Sequence, residues 1–333
     1  MALSRRTAVL LAVAGFVVVA AVVLTVVLVT TAQAPHPPGR GTVVVASEQS
    51  TASVAAERAP DGSPELAAAQ YLSAQPTAVW LTPEADPIDA VGERIAQLAD
   101  EARAQSARVA VVVYGLPGRD CGGHSAGGLD PDDYADWTRA IGEALRDAAD
   151  TSPIVLLEPD SLALAPECGN EAERIDQLAA AVQALAAERT WIYVDGGHSD
   201  WLPAERMAAL IRQVDRASRA DGGGGIRGFV TNVSNFMPTA DEVAYAHDVA
   251  ARLDGLHAII DTSRNGAGSD GEWCNPPGRR VGEPGGALGD PVVDTNLWVK
   301  PPGESDGECN GGPPAGQWWP EAAIELTRDA VAG

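Results

Sequence analysis

Aromatic residues are scarce in this chain, with 3 Phe, 5 Tyr and 8 Trp among 333 residues, and basic residues are outnumbered, 23 Lys and Arg against 46 Asp and Glu. The formal net charge of -23 and the low pI of about 4.4 argue against a nucleic-acid partner, because polyanionic phosphates need a basic face. No GxGxxG follows the first apolar strand candidate, which removes the usual dinucleotide fingerprint. The chain has only 4 cysteines, none in a CxxC pair, and only Cys121 has a histidine, His124, at ligand-like spacing. A zinc site therefore has little to build on, and no metal or cofactor is expected.

What is present begins with an export element. Arg5 and Arg6 precede an uncharged apolar run over residues 8–29, followed by TTAQA. Residues 1–34 read either as a signal peptide with a cleavage site at Ala32-Gln33-Ala34 or as a membrane anchor, the run being long enough to tether the protein. Both place the rest outside the cytoplasm, secreted or held on the outer face of the cytoplasmic membrane. Residues 35–65, mixed in Pro, Gly and Ser, read as a flexible linker, and the folded domain as 66–333. All four cysteines, Cys121, Cys168, Cys274 and Cys309, lie in that domain. Their even number in an exported chain favours two disulfides, in any of three pairings.

Short apolar runs recur along the domain: TAVWL (77–81), VAVVVY (109–114), IVLLE (154–158), WIYVD (191–195), GFVTNV (228–233), HAIID (257–261) and NLWVK (296–300). Most are continuous rather than alternating, as in a parallel sheet covered on both faces. Helical spacing separates them, for example Val91, Ile95, Leu98 and Ala102, or Trp137, Ile141 and Leu145. Seven β-α units predict an α/β fold, a seven-stranded parallel β/α barrel of TIM-like type.

Barrel sites sit at the carboxyl ends of strands. Those positions hold Trp80, Tyr114, Arg119, Asp120, Glu158, Asp160, Asp195, His198, Trp201, Asn232, Asn235, Asp261, Arg264, Lys300, Glu304 and Asp306. Carboxylates beside indoles suit acid/base work on a neutral sugar: pyranose rings stack on indole, and glycosidic cleavage needs one protonated and one ionised carboxyl. Trp80, Trp201, Trp273 and Trp298 are candidates for stacking, with Trp298, inside a strand, the best candidate for the core. Plainer readings exist for the acids. Asp160 could cap the SLALA helix, Asp120 could be held by Arg119 or serve a turn, and Asp306 could be a turn aspartate.

The segments VVVYGLPGRDCGGHSAGG (111–128) and VLLEPDSLAL (155–164) resemble the two signatures of glycoside hydrolase family 6, the cellulases that include endoglucanases and cellobiohydrolases. The likeness continues through YVDGGHSDWL, GFVTNVSNF, IIDTSRNG, EWCNPPGR, LWVKPPGESDGEC and PAGQWWPE, from Trp80 to the C-terminus. The resemblance implies a distorted barrel that hydrolyses β-1,4-glucan with inversion, and a monomer is expected. It makes Asp160 the general acid, Asp120 the neighbour that keeps that acid protonated, and Asp306 the proposed base. Tyr114 is then the residue that distorts the sugar ring. Trp80, Asp195, His198, Trp201, Asn235, Trp273, Lys300 and Glu304 become further substrate-site positions. It also implies pairing of Cys121 with Cys168 and of Cys274 with Cys309.

Two departures stand out: Gly115 and Gly118 occupy positions where many relatives carry Asp, and a second tryptophan after Trp201 is absent. The short path from Lys300 to Gln317 lacks the insertion that roofs exo-acting members, so an open cleft and endo attack are expected. The alternatives are an exo-acting cellobiohydrolase and a catalytically silent carbohydrate-binding relative.

Overall fold

The computed structural model describes residues 36–123 and 125–331. Seven strands, β1 (Val79–Leu81), β2 (Ala110–Val113), β3 (Ile154–Leu157), β4 (Trp191–Asp195), β5 (Gly228–Thr231), β6 (His257–Asp261) and β7 (Val293–Leu297), pair in parallel in chain order. The two ends of this sheet meet at a bridge between Thr77 and Trp298, where the Ala78 N–H donates to the Trp298 carbonyl at 2.9 Å. The sheet therefore curls nearly to closure, and the thin seam between β1 and β7 is what distorts the barrel.

The continuous apolar runs are explained by two buried faces. Ala110, Val112, Leu156, Tyr193, Val230, Ile259 and Leu297 fill the barrel interior, while Val111, Val113, Val155, Leu157, Val194, Phe229 and Ile260 pack outward against helices. Those helices present the predicted stripes: Val91, Ile95, Leu98 and Ala102 are fully buried on helix Val91–Gln105, as are Trp137, Ile141 and Leu145 on helix Pro131–Asp147. Towards the strand amino termini the interior holds a polar plug. Asp294 accepts from Tyr193 Oη at 2.5 Å and from Arg227 at 2.8 and 2.9 Å, with His257 Nδ1 3.1 Å away.

Two expectations are corrected. The stretch read as a flexible linker is folded from residue 37 on: Val44 bridges Arg108, Val45 is fully buried, and helices Thr51–Arg58 and Pro64–Ser73 pack on Trp298 and Ala323. Their buried faces are built mainly from Ala52, Ala55, Ala68, Ala69 and Leu72, so small residues left little hydrophobic contrast to read. The last strand is Val293–Leu297 rather than 296–300. Trp298 is nonetheless core, at 1% exposure, and Lys300 falls just beyond the strand, at the barrel mouth. Among the described residues no helix is long and apolar enough to cross a membrane, and the run at 8–29 lies outside them.

Candidate active site

The strand ends give way to unusual backbone. Glu158, Asp160, Asn232 and Ser234 have φ of 52°, 67°, 65° and 61°, and Asp120 and Cys121 have 56° and 48°. Each such residue costs about 1 kcal/mol or more and persists only where its surroundings dictate it.

At Asp160 the surroundings are visible. It stands at the head of helix Ser161–Cys168, yet its side chain makes no capping bond, so the cap reading does not hold. Instead its backbone N–H donates to Asp195 Oδ2 at 3.1 Å, and the Gly197 N–H donates to the same oxygen at 2.9 Å. Burial raises the proton affinity of the Asp160 carboxyl well above the ordinary range, and the charges of Asp195, Asp120 and Asp306 add to the effect. Asp195 is pushed up to about 7, by burial foremost, against the two N–H bonds that favour its ionised form. Its Oδ1 is buried without a hydrogen-bond partner.

Asp120 sits in a 3-10 turn, Asp120–Gly122, where its Oδ2 accepts the Ser125 N–H at 2.8 Å. Arg119 turns away from it, to Glu84 at 2.9 Å and the Tyr114 carbonyl at 2.8 Å. The turn is tied to the Asp160 helix by the Cys121–Cys168 disulfide. Tyr114, at the end of β2, lies edge-on to Trp80 with ring centres 5.1 Å apart. Burial and the charges of Asp160 and Asp120 keep its phenol protonated. Glu158, two residues before Asp160, faces the other way. It accepts from the Gly115 and Leu116 N–H groups and the Tyr134 hydroxyl, and burial pushes it up to about 7. This acid anchors the loop after β2. In that loop a side chain at Gly115 would meet the Trp137 ring at 2.7 Å, which accounts for glycine there.

Asp306 is no ordinary turn residue. Arg264 Nη1 donates to both its oxygens, at 2.9 and 3.0 Å, and the Asn275 N–H to Oδ2 at 3.0 Å, beside the Cys274–Cys309 disulfide. Asp261 at the end of β6 gathers four backbone N–H groups, from Ser234, Ser263, Val299 and Lys300, and so binds three strand-end loops together. Lys300 is the only lysine in the chain. Its Nζ lies 5.6 Å over the Trp80 ring and 3.5 Å from Glu304, whose carboxyl is raised by burial against the pull of Lys300 and Thr51. His198 and Trp201 pack together at 5.3 Å, and burial lowers the imidazole below its usual range.

These side chains surround a cleft of ≈ 440 Å³ whose lining includes Trp80, Tyr114, Asp120, Asp160, His198, Trp201, Asn235, Trp273, Lys300 and Asp306. Trp273 forms its rim at 50% exposure. Two anticipated positions stand behind the wall: Asp195 is buried and grips the Asp160 backbone, and Glu304 faces two neighbouring cavities. Ser125, Leu164, Glu167, Met237 and Glu272 also line the cleft without being strand-end residues, standing in loops or on the Asp160 helix, and Ser234 joins them from the end of β5 between Asn232 and Asn235. Among the described residues no group of three or more His, Cys, Asp or Glu side chains could hold a metal.

A parallel β/α barrel whose mouth gathers an acid of raised proton affinity, further carboxylates and indole rings around a cleft is built as a glycoside hydrolase. The chain belongs to the family whose model, Glycosyl hydrolases family 6, matches residues 39–330. It is 41% identical over 262 residues to endoglucanase A of Cellulomonas fimi, covering 78% of this chain and 56% of the relative. With endoglucanase 1 of Streptomyces sp. (strain KSM-9) the identity is 40%, over 78% and 70%, and with a probable exoglucanase of Podospora anserina 34%, over 70% and 62%. The chain spans about half the length of the first of these relatives. Among solved structures, the endoglucanase Cel6 of Mycobacterium tuberculosis, in complex with methyl-cellobiosyl-4-deoxy-4-thio-β-D-cellobioside, superposes with a TM-score of 0.78 at 37% identity, covering 87% of this chain and 98% of that one. The catalytic core of cellobiohydrolase Cel6A from Chaetomium thermophilum gives 0.75 at 26%, covering 87% and 97%. The two disulfides carry the pairing that the resemblance implied.

Proposed function

We propose that this protein is an inverting endo-β-1,4-glucanase, exported from the cytoplasm and acting on cellulose or a soluble β-glucan. The observation that carries the reading is Asp160: a carboxyl opening into an indole-lined cleft, its proton affinity raised by burial and by three neighbouring acids. A glycosidic oxygen is a poor leaving group until it receives a proton, and an acid of raised proton affinity can deliver one at neutral pH. Asp120 supports that protonation and faces the positive charge that develops on the sugar ring. Asp306, beyond β7 and on the other side of the mouth from β3, acts on the attacking water. Its oxygens are engaged by Arg264 and Asn275, so the water reaches an acid that is already oriented. Tyr114 crowds the ring at the cleavage point, and Trp80, Trp201 and Trp273 offer stacking faces on either side.

Endo attack is supported by the segment after Lys300, which folds on itself. The Ser305 N–H donates to the Gln317 carbonyl and the Gly316 N–H to the Ser305 carbonyl, each at 2.9 Å. Similarity to endoglucanases at about 40% identity agrees with it, as do paired disulfides with a compartment outside the cytoplasm. The test is product analysis on a soluble β-1,4-glucan: the freshly released reducing ends should be α-anomers, and viscosity should fall faster than reducing ends accumulate. β-anomers at early time would refute inversion, and parallel loss of viscosity and release of ends would indicate exo attack.

A further inference from the structure

One buried carboxyl takes no part in the chemistry above. Glu242, in the first turn of helix Thr239–Ala250, is fully buried on the outer side of the barrel wall. Its Oε1 accepts the Ser199 N–H at 2.8 Å, and its Oε2 is buried with no hydrogen-bond partner. The Thr231 and Ser199 hydroxyls lie beside it and oppose the effect of burial on the carboxyl, although neither Oε2 nor Thr231 Oγ1 makes a hydrogen bond of good geometry. One helical turn further, the Tyr245 hydroxyl donates to the Leu202 carbonyl at 3.1 Å and reaches the Gly196 carbonyl at 3.4 Å. Residues 242 and 245 share a helix face, so together they hold the 196–202 loop at its start, its middle and its end.

That loop carries His198 and Trp201 into the cleft. It also supplies the Gly197 N–H to Asp195, whose same oxygen receives the Asp160 N–H. A buried acid in a helix that could have used leucine is costly, and the cost is offset only where its hydrogen bonds are needed. Burial favours the neutral carboxyl, which would donate to Thr231 Oγ1 while accepting from Ser199.

We propose that Glu242, with Tyr245, is a positioning residue: it sets the His198–Trp201 loop against the cleft and, through Gly197 and Asp195, fixes the backbone of the acid Asp160. The inference rests on the reading of the cleft as a glucan site. The experiment compares Glu242→Ala, Glu242→Gln and Tyr245→Phe with the parent in the full chain, by steady-state kinetics on β-1,4-glucan oligomers and by amide hydrogen exchange over residues 196–202. Losing the carboxyl from a buried N–H should raise KM about five- to tenfold and remove amide protection in the loop. Glu242→Gln, which can accept from Ser199 and donate to Thr231, should restore both to within about twofold. Tyr245→Phe should show a smaller change of the same kind. A glutamine variant as impaired as the alanine variant, or an alanine variant with parental KM and protection, would overturn the proposal. Should Glu242→Ala fail to fold, Tyr245→Phe decides: unchanged KM and protection would refute the role. Hydrogen exchange needs no substrate, so a parent inactive on glucan with the expected exchange pattern would indict the cleft reading and uphold the role of Glu242.

Discussion

The Cys121–Cys168 disulfide joins the turn of Asp120 to the helix headed by Asp160, and its removal by Cys121→Ser with Cys168→Ser should separate activity from stability. The bond closes a loop with a sequence separation of 47. In the chain-entropy treatment a loop of that length is worth about 4 kcal/mol at 25 °C. Spread over an unfolding entropy of roughly 0.6 kcal/mol/K for a domain of about 300 residues, this lowers Tm by about 6 °C. The barrel therefore stays folded at assay temperature.

The Asp120 turn does not keep its geometry so well. Asp120, Cys121 and Gly122 all have positive φ, and without the disulfide they rest on a few local bonds: Gly123 N–H to the Asp120 carbonyl at 2.7 Å, Cys121 N–H to the Gly118 carbonyl at 3.3 Å, Ser125 N–H to the Asp120 carboxyl, and Arg174 to the Pro117 carbonyl at 2.9 Å. A displacement of about 1 Å at a reacting group costs on the order of a hundredfold, so kcat on cello-oligosaccharides should fall at least tenfold at 25 °C. The control is Cys274→Ser with Cys309→Ser, which opens a loop of similar separation, 35, for nearly the same loss of Tm. There Asp306 keeps Arg264 and Asn275, and kcat should fall much less. Parental kcat in the first variant below its melting transition, or equal loss of kcat in both, would refute this reasoning.

Four further outcomes are expected. Asp160→Asn should keep affinity for cello-oligosaccharides, by calorimetry or fluorescence titration, while losing most hydrolysis of substrates with poor leaving groups; near-normal turnover would remove Asp160 from its role. Asp195→Asn keeps an oxygen to accept from Asp160 and Gly197 but loses the charge. The alkaline limb of the kcat profile should then move to lower pH, with little change well below pH 7, where Asp195 at about 7 is already protonated. Glu158, pushed up from the usual 4.5 to about 7, contributes stability that is complete below about pH 4.5 and lost as pH rises through 7. Denaturation at several pH values should show that slope, worth about 3 kcal/mol, and Glu158→Gln should flatten it. Asp294→Ala at the far end of the barrel leaves Arg227 and Tyr193 without their partner and should cost roughly 3–5 kcal/mol in urea denaturation, with parental kcat wherever the variant is folded.

Much of the fold was legible because a parallel sheet covered on both faces demands uninterrupted apolar runs, and six of the seven runs coincide with strands to within about two residues at either end. The seventh was displaced since TNLWVK remains apolar past the strand, with Trp298 buried under helices that the alanine-rich stretch at 51–73 did not announce. Position at strand ends brought the candidate acids to notice, and the family resemblance supplied their roles. Strand-end position did not separate Asp160, which opens on the cleft, from Glu158, Asp195 and Asp261, which hold loops.

The order of apolar runs and the motifs around Asp120, Asp160 and Asp306 were enough by themselves to determine the parallel barrel, its membership of a glycoside hydrolase family and the end of the barrel where the candidate acids gather. These are properties of local pattern, and local pattern survives in one dimension. Tertiary structure alone decided that the Asp160 side chain does not cap its helix, that Arg264 rather than a turn holds Asp306, that Arg119 turns away from Asp120, and that Glu242 reaches under the loop of His198. Each depends on groups tens of residues apart meeting within about 3 Å, and on whether burial or a charged neighbour governs a carboxyl once they meet. A sequence encodes such meetings only through the fold that brings them about.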